Sequence, residues 1–360
     1  MIKILGKSPI YDGLNITNYS IYSEFIPNPE TEACDPFLVP DTVSITLSAF
    51  YVLVFLLAIP GNLVVGLVMG HNRDTLPPSD LYLLHLAVAD LLLAVTLPFW
   101  AVSVTWGWIF GNAACKIVTI CQELSFYSSI LFLTCISMDR YVVIVRALEA
   151  RRANRRLLSW GVCAGVWAVA TLLCVPAFFS RPSASDDPSR LVCHEQFPSS
   201  ADEWRLATRI LRHALGFVIP LAIMIPCYGV TIKRLLRVRG GFRRQRAMKV
   251  IVFVVVAFLL CWAPYHVALM TDTFFRSKVV PYRCSDRLAV DQALLATQSM
   301  GLLHSCVNPV LYAFVGEKFR KSLVQLMRKF GLIERTTRIK SSVSSEVTST
   351  MISAEGEALL

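Results

Sequence analysis

Asp90 stands about halfway along an otherwise uncharged apolar run, and it is the residue around which a site could form. An ionised carboxylate at mid-bilayer costs about 2.5–3.5 kcal/mol on insertion scales, so such groups usually face a protein interior and act there. Asn62, Ser129, His304, Ser305 and Asn308 fall at similar depth in other apolar runs, and Ser125 shares a helix face with Ser129. Carboxylate, amide and hydroxyl groups gathered in this way make either a structural hydrogen-bond cluster or a wet core able to hold a small cation. Asp90 and Ser129 would supply oxygens to such an ion. Asp139, Arg140 and Tyr141 close a further run with an ion pair at its boundary; a charge that merely snorkels to the interface is the alternative. No nucleophile–base constellation and no CxxC or HxxxH spacing occurs, so neither catalysis nor a protein-held metal centre is expected.

These residues must be positioned by elements that cross a membrane. The chain has 360 residues, 55% hydrophobic and 17% charged, with a mean hydropathy of +0.55. Soluble chains carry about a quarter charged residues, which argues against an ordinary water-soluble enzyme and against disorder. The apolar residues fall in seven blocks: 42–70, 81–103, 117–138, 157–180, 214–232, 250–271 and 292–316. Each holds roughly 20 to 29 residues, enough to cross a hydrocarbon core of about 30 Å as a helix. Barrel strands would be about ten residues long and alternate with period two. The expected fold is therefore an all-α, seven-transmembrane helix bundle over 42–316. Pro60, Pro98, Pro176, Pro220, Pro226, Pro264 and Pro309 interrupt six of the blocks, and each removes a backbone bond and can kink its helix. Residues 1–41 form an arm with no apolar core or small-residue cleavage site, so no cleaved signal is expected.

Charge sets the expected orientation. The 70–80, 146–156 and 233–249 connections with the tail carry 22 Lys/Arg against 8 Asp/Glu; the arm and the other connections carry 12 against 14. Positive segments stay in the cytoplasm, which puts the N-terminus outside the cell and explains the basic balance without nucleic acid. Asn15 and Asn18 head two glycosylation sequons in the arm, useful only on that side. Of eleven cysteines, seven sit inside blocks as apolar fillers. Cys34, Cys115, Cys193 and Cys284 fall on the expected outer side, where an even set suggests two disulfides with three pairings open. A Cys115–Cys193 bond would tether the longest outer loop across the bundle mouth, and Cys34–Cys284 would tie the arm to the loop before the last block. Each closure could stabilise by about 4 kcal/mol in the chain-entropy model.

Residues 317–330 read as a short amphipathic helix: Phe319, Leu323, Leu326, Met327 and Phe330 recur at helical spacing, with Lys318, Lys321, Arg328 and Lys329 at lipid headgroup level. No cysteine follows Cys306, which excludes palmitoyl anchoring there. Residues 331–360 read as a disordered tail whose Ser341, Ser342, Ser344, Ser345 and Thr348 suit phosphorylation.

Taken in order and depth, the residues resemble the rhodopsin-like G-protein-coupled receptors across 42–330. The carrying motifs are Gly61-Asn62, Leu86-Ala87-Val88-Ala89-Asp90, Asp139-Arg140-Tyr141, Trp167, Pro220 with Tyr228, Cys261-Trp262-Ala263-Pro264 and Asn308-Pro309-Val310-Leu311-Tyr312. Within that family the chain resembles the CXC chemokine receptors of the interleukin-8 receptor type. The stretches are Thr96-Leu97-Pro98-Phe99-Trp100, Trp108-Ile109-Phe110-Gly111, Gly216-Phe217-Val218-Ile219-Pro220 and Leu303-His304-Ser305-Cys306-Val307-Asn308-Pro309. It departs from them at Ser125, where close relatives carry Asn, and at Gln122 and Gln298, where they carry Lys and Glu. The final Ala358-Leu359-Leu360 lacks the Ser/Thr a PDZ ligand would want.

The resemblance implies a CXC chemokine as ligand, a heterotrimeric G protein of the inhibitory class and arrestin as partners, and leukocyte chemotaxis as output. It also implies the arm-to-loop disulfide. Chemokines are small and basic, and the arm carries six acids against two lysines, with Tyr19 and Tyr22 as candidate sulfation sites. Asp187, Glu195, Arg209, Arg212, Asp272, Arg276, Gln122, Gln298 and Trp100 are the implied ligand contacts, local salt bridges being the alternative for the charged ones. Trp262 with Pro264 would be the pivot, Tyr228 and Tyr312 inner latches, and Arg140 a side chain released from Asp139 in the active state. A sodium ion beside Asp90 and Ser129 is the only cofactor suggested. A retinal photoreceptor is excluded, since 292–316 holds no lysine. A transporter is the rival class, opposed by the lack of an inverted repeat; a scavenging receptor is the nearer rival, opposed by the intact Asp139-Arg140-Tyr141.

Overall fold

The computed structural model describes residues 39–329 apart from 72–75, 147–151, 185–189, 198–200, 238–241, 278, 282 and 316. Helix α1 (Asp41–Gly70) places Asp41 in its first turn, where the helix dipole favours an acid. Helix α2 (Pro78–Ala94) begins on Pro78, whose missing N–H costs nothing at that position. A turn at 95–96 separates it from α3 (Leu97–Trp106). The break falls beside Pro98, which cannot donate to the preceding turn, and the Thr96 hydroxyl bonds the Leu93 carbonyl at 2.7 Å. Helix α4 (Gly111–Tyr141) runs on into a π-helical turn at Val142–Arg146. Helix α5 (Arg152–Leu173) is followed by the short turn Val175–Phe179, which contains Pro176.

The longest connection on that end folds as a hairpin, an addition to the all-helical expectation. Strands β1 (Ser180–Ala184) and β2 (Leu191–Glu195) pair antiparallel with Pro182 opposite Cys193. Cys193 is disulfide-bonded to Cys115 in the first turns of α4. Beside it the Trp108 backbone N–H bonds the Leu191 carbonyl at 2.7 Å. Gly107 turns the chain with φ +78°, and a Cβ there would lie 3.0 Å from that same carbonyl oxygen. Cys284 is also disulfide-bonded; Cys34 lies outside the described residues.

Helix α6 (Ala201–His213), a π-helical turn at Ala214–Val218 and α7 (Ile219–Arg237) form one continuous segment. Helix α8 (Phe242–Arg276) carries Pro264 inside it. Helices α9 (Cys284–Leu302) and α10 (His304–Val315) are separated at Leu303, and α11 (Glu317–Lys329) closes the described chain. Among the described residues six segments are long and apolar enough to cross a membrane, and the seventh block is present as α9 plus α10. The helices outrun the apolar blocks: 214–232 lies inside 201–237, and 250–271 inside 242–276. Composition registers only the apolar turns, while the turns beyond these two blocks carry Arg209, Arg212, Asp272 and Arg276. On α11 Phe319 is buried and Leu323 and Leu326 pack against the main core, so its apolar face meets the bundle.

Leu53, Leu56, Leu57, Leu63 and Leu67 remain exposed along α1. On a soluble protein such a stripe would drive aggregation; in a bilayer it is the lipid face. Lipid tails are as apolar as the core, so helix association there depends on close packing and small residues. Three glycines provide it. A Cβ on Gly61 would come 2.9 Å from Pro309, one on Gly216 2.7 Å from Phe126, and one on Gly301 2.9 Å from Trp262. Gly61→Ala is therefore expected to destabilise by about 1–3 kcal/mol through overpacking. Gly66→Ala, whose Cβ meets nothing within 4 Å, should leave stability unchanged or slightly raised. Thermal melting in detergent compares the two.

Candidate functional site

Proline chemistry builds the polar core. Pro309 has no N–H, so the Ser305 carbonyl one turn earlier loses its helical donor. The Asn62 amide supplies one across the bundle, at 2.7 Å, while also bonding the Ala58 carbonyl at 3.0 Å. Gly61 lets α1 come close enough for this. Asn308 in turn donates to Asp90 Oδ2 at 2.7 Å, joining α10 to α2. Asp90 Oδ1, Asn62 Oδ1 and the hydroxyls of Ser125 and Ser129 are buried with no hydrogen-bond partner.

Above this core sits Trp262. Its indole N–H lies 3.2 Å from His304 Nδ1, and its ring meets Phe126 at 4.7 Å and Tyr265 at 5.6 Å. The Gly301 carbonyl lies 2.7 Å from the same His304 Nδ1. One nitrogen cannot accept from Trp262 and donate to Gly301 at once, so the tautomer decides which bond exists. His304 Nε2 lies 3.5 Å from Asp90 Oδ1. The motifs around Asn62, Asp90, Trp262 and Asn308–Pro309 thus meet in one place.

Toward the hairpin end the charged residues pair with one another. Arg212 Nη2 bonds Glu123 Oε1 at 2.7 Å, and Arg212 Nη1 bonds the Tyr265 hydroxyl at 3.2 Å. Arg209 pairs with Asp272 at 2.7 Å, and Arg276 with the same carboxylate at 2.9 Å. Arg209, Arg212, Asp272 and Arg276 thus make local salt bridges. Glu123, Tyr265 and Gly301 were not among the sequence candidates; a charge inside an apolar block was the one signal that could have found Glu123. Gln122 is half-buried and Gln298 exposed. Trp100 tilts against Trp108 at 5.6 Å. Glu195 ends β2, and burial raises its carboxyl above the usual carboxylate range, opposed by the Arg212 charge.

At the opposite end Arg140 reaches from α4 to α2, bonding the Ser79 hydroxyl and lying 3.9 Å from Asp80. These contacts are to α2, whereas the sequence expectation paired Arg140 with Asp139, its neighbour on α4. Asp139 and Tyr141 are half-buried at the end of α4, and Tyr228 packs on the core from α7. Tyr312 belongs to α10, but its side chain lies outside the described residues, as do Asp187, Asn15, Asn18, Tyr19, Tyr22, Phe330 and the Ser341–Thr348 cluster.

Comparison with known proteins agrees with this geometry. Residues 61–312 match the family of seven-transmembrane receptors of the rhodopsin type. The chain is 44% identical to C-X-C chemokine receptor type 1 of Oryctolagus cuniculus over 83% of this chain and 84% of that protein. Against C-X-C chemokine receptor type 2 it is 42% identical for Mus musculus, covering 87% and 90%, and 40% for Homo sapiens, covering 94% and 93%. The chain belongs to the rhodopsin family of seven-transmembrane receptors and, within it, to the C-X-C chemokine receptors. It is a multi-pass membrane receptor and not an enzyme.

Two outcomes follow. Arg212→Ala leaves the buried Glu123 carboxylate without its cation and should cost about 3 kcal/mol, while the Glu123→Leu/Arg212→Met double variant should recover most of the loss in thermal melting. Because the folded Glu195 value is raised, its contribution is full in acid and is lost as pH rises through that value. Melting temperature should fall over this range in wild type, and Glu195→Gln should flatten the fall.

Proposed function

We propose that this receptor binds a CXC chemokine of the interleukin-8-like type at its hairpin end, which faces outside the cell. In response it activates a heterotrimeric G protein of the inhibitory class at the opposite end, in the service of leukocyte chemotaxis. The observation that supports this reading most is a contiguous path from the hairpin end to the mid-depth polar core. Arg212 bonds Tyr265, Tyr265 lies against Trp262, Trp262 reaches His304, and His304 and Asn308 both meet Asp90. A basic ligand drawn by the acidic arm would arrive by long-range, salt-sensitive attraction. Its own charged groups would then compete for Arg209, Arg212, Asp272 and Arg276, exchanging the pairs within the receptor for pairs across the interface.

A ligand that favours the active form about 100-fold contributes about 2.7 kcal/mol, more than one partly exposed ion pair is worth. That is enough to release Arg140 toward the G protein. The basic 146–156 and 233–249 connections would form the G-protein surface, and phosphorylation of the tail would recruit arrestin.

For the polar core we infer a sodium ion. The unpartnered oxygens of Asp90, Asn62, Ser125 and Ser129 suit a hard cation, with His304 competing for Asp90. Asp90 and Ser129 would hold it, and its charge would offset that of Asp90.

A panel of CXC chemokines applied to transfected cells, with G-protein activation and calcium as readouts, tests the function. Activation by an interleukin-8-like member, abolished by Arg140→Ala without loss of ligand binding, is expected. Ligand uptake with no G-protein response would identify a scavenging receptor instead.

A further inference from the structure

His213 and His266 face each other where α6 meets α8, with their Nδ1 atoms 3.1 Å apart. Neither is part of the ion-pair cluster or of the path from Tyr265 to Asp90. His266 is 2% exposed, and the Nε2 atoms of both rings are buried without a hydrogen-bond partner. The Nδ1 contact is a hydrogen bond only when one ring carries its proton on Nδ1 and the other on Nε2. That arrangement leaves one buried N–H and one buried lone pair unmatched, a cost of about 1–3 kcal/mol per group in general.

The walls are aromatic. Phe217 stacks on His266 at 4.5 Å, with Tyr265 at 5.6 Å and Phe126 at 6.0 Å. The nearby cations are already matched: Arg212, next to His213 in the chain, pairs with Glu123, and Arg209 pairs with Asp272.

We propose that His213 and His266 form a two-histidine site for a divalent transition cation of the zinc class. A metal about 2.0–2.1 Å from each imidazole nitrogen, spanning this separation, subtends about 100°, close to a tetrahedral angle. The ion takes the place of the shared proton. The proton on one Nδ1 moves, by exchange with water, to Nε2 of the same ring, both Nδ1 lone pairs turn to the metal, and no net proton is released. Among the described residues no three His, Cys, Asp or Glu side chains converge, so the two imidazoles would be the protein ligands and water would complete the coordination. Imidazole suits zinc, copper and nickel. His213 adjoins the π-helical turn at Ala214–Val218, and His266 lies two residues beyond Pro264. A bound ion would clamp the fifth and sixth segments together beside the π-helical turn of one and the proline of the other.

The test uses full-length receptor in lipid nanodiscs, free of any histidine tag, and does not depend on which chemokine it answers to. Zinc chloride is titrated by equilibrium dialysis and by thermal melting, and cobalt is added in parallel for its visible spectrum. One zinc per receptor, a rise in melting temperature reversed by EDTA, and a cobalt absorption band are expected, with all three lost in His213→Gln and in His266→Gln. Should the more buried His266→Gln melt low even in EDTA, His213→Gln decides alone. Zinc uptake that survives the double variant, no uptake by wild type, or melting that responds to pH but not to zinc would each overturn the proposal.

Discussion

A single missing proton organises the middle of this receptor. Because Pro309 has no N–H, the Ser305 carbonyl is left without a helical donor inside a medium that offers no water. Asn62 satisfies it from another helix. That bond holds α1 against α10 only because Gly61 has no side chain to strike Pro309. With α10 so placed, the neighbouring Asn308 reaches Asp90 on α2. Three segments are thereby joined by two hydrogen bonds at 2.7 Å and one close backbone approach. In hydrocarbon such contacts take over the role that hydrophobic burial has in water.

The same economy recurs one turn higher. Gly301 admits the Trp262 ring, which brings the indole N–H to His304 and His304 to Asp90. A movement of α8 about Pro264 cannot leave His304 untouched, and His304 cannot shift without altering the surroundings of Asp90. Asp90 Oδ1, Asn62 Oδ1 and the hydroxyls of Ser125 and Ser129 have no hydrogen-bond partner among the described side chains. Unmatched groups in a low-dielectric interior are costly, so an arrangement that satisfies them differently can compete with this one. That is the physical requirement for a two-state element.

The charged layer toward the hairpin works by another rule. Glu123 and Asp272 are nearly buried, and each is held by arginines that stay partly exposed. The arginines are therefore more accessible than the carboxylates, so an incoming acidic group meets a cation whose partner is already in place. Asp272 holds two arginines at once, which leaves that corner with excess positive charge.

Much of the fold was legible in the residues themselves. The seven apolar blocks, the prolines, the four outer cysteines and the mid-depth polar set each depend on short stretches of chain. Crossing a membrane is a property of about twenty consecutive residues, so composition alone determined the number of segments and the depth of Asp90, Asn62 and Asn308. The hairpin was not legible, because the pairing of Ser180–Ala184 with Leu191–Glu195 depends on the anchor at Cys115. Nor was the pairing of Glu123 with Arg212, 89 positions apart, or the meeting of His213 with His266, 53 apart. Helix rotation about its own axis decides which side chains face one another, and that rotation is set by glycine contacts and ion pairs between segments. The sequence determined which groups lie at each depth; only the packed bundle decided which of them touch.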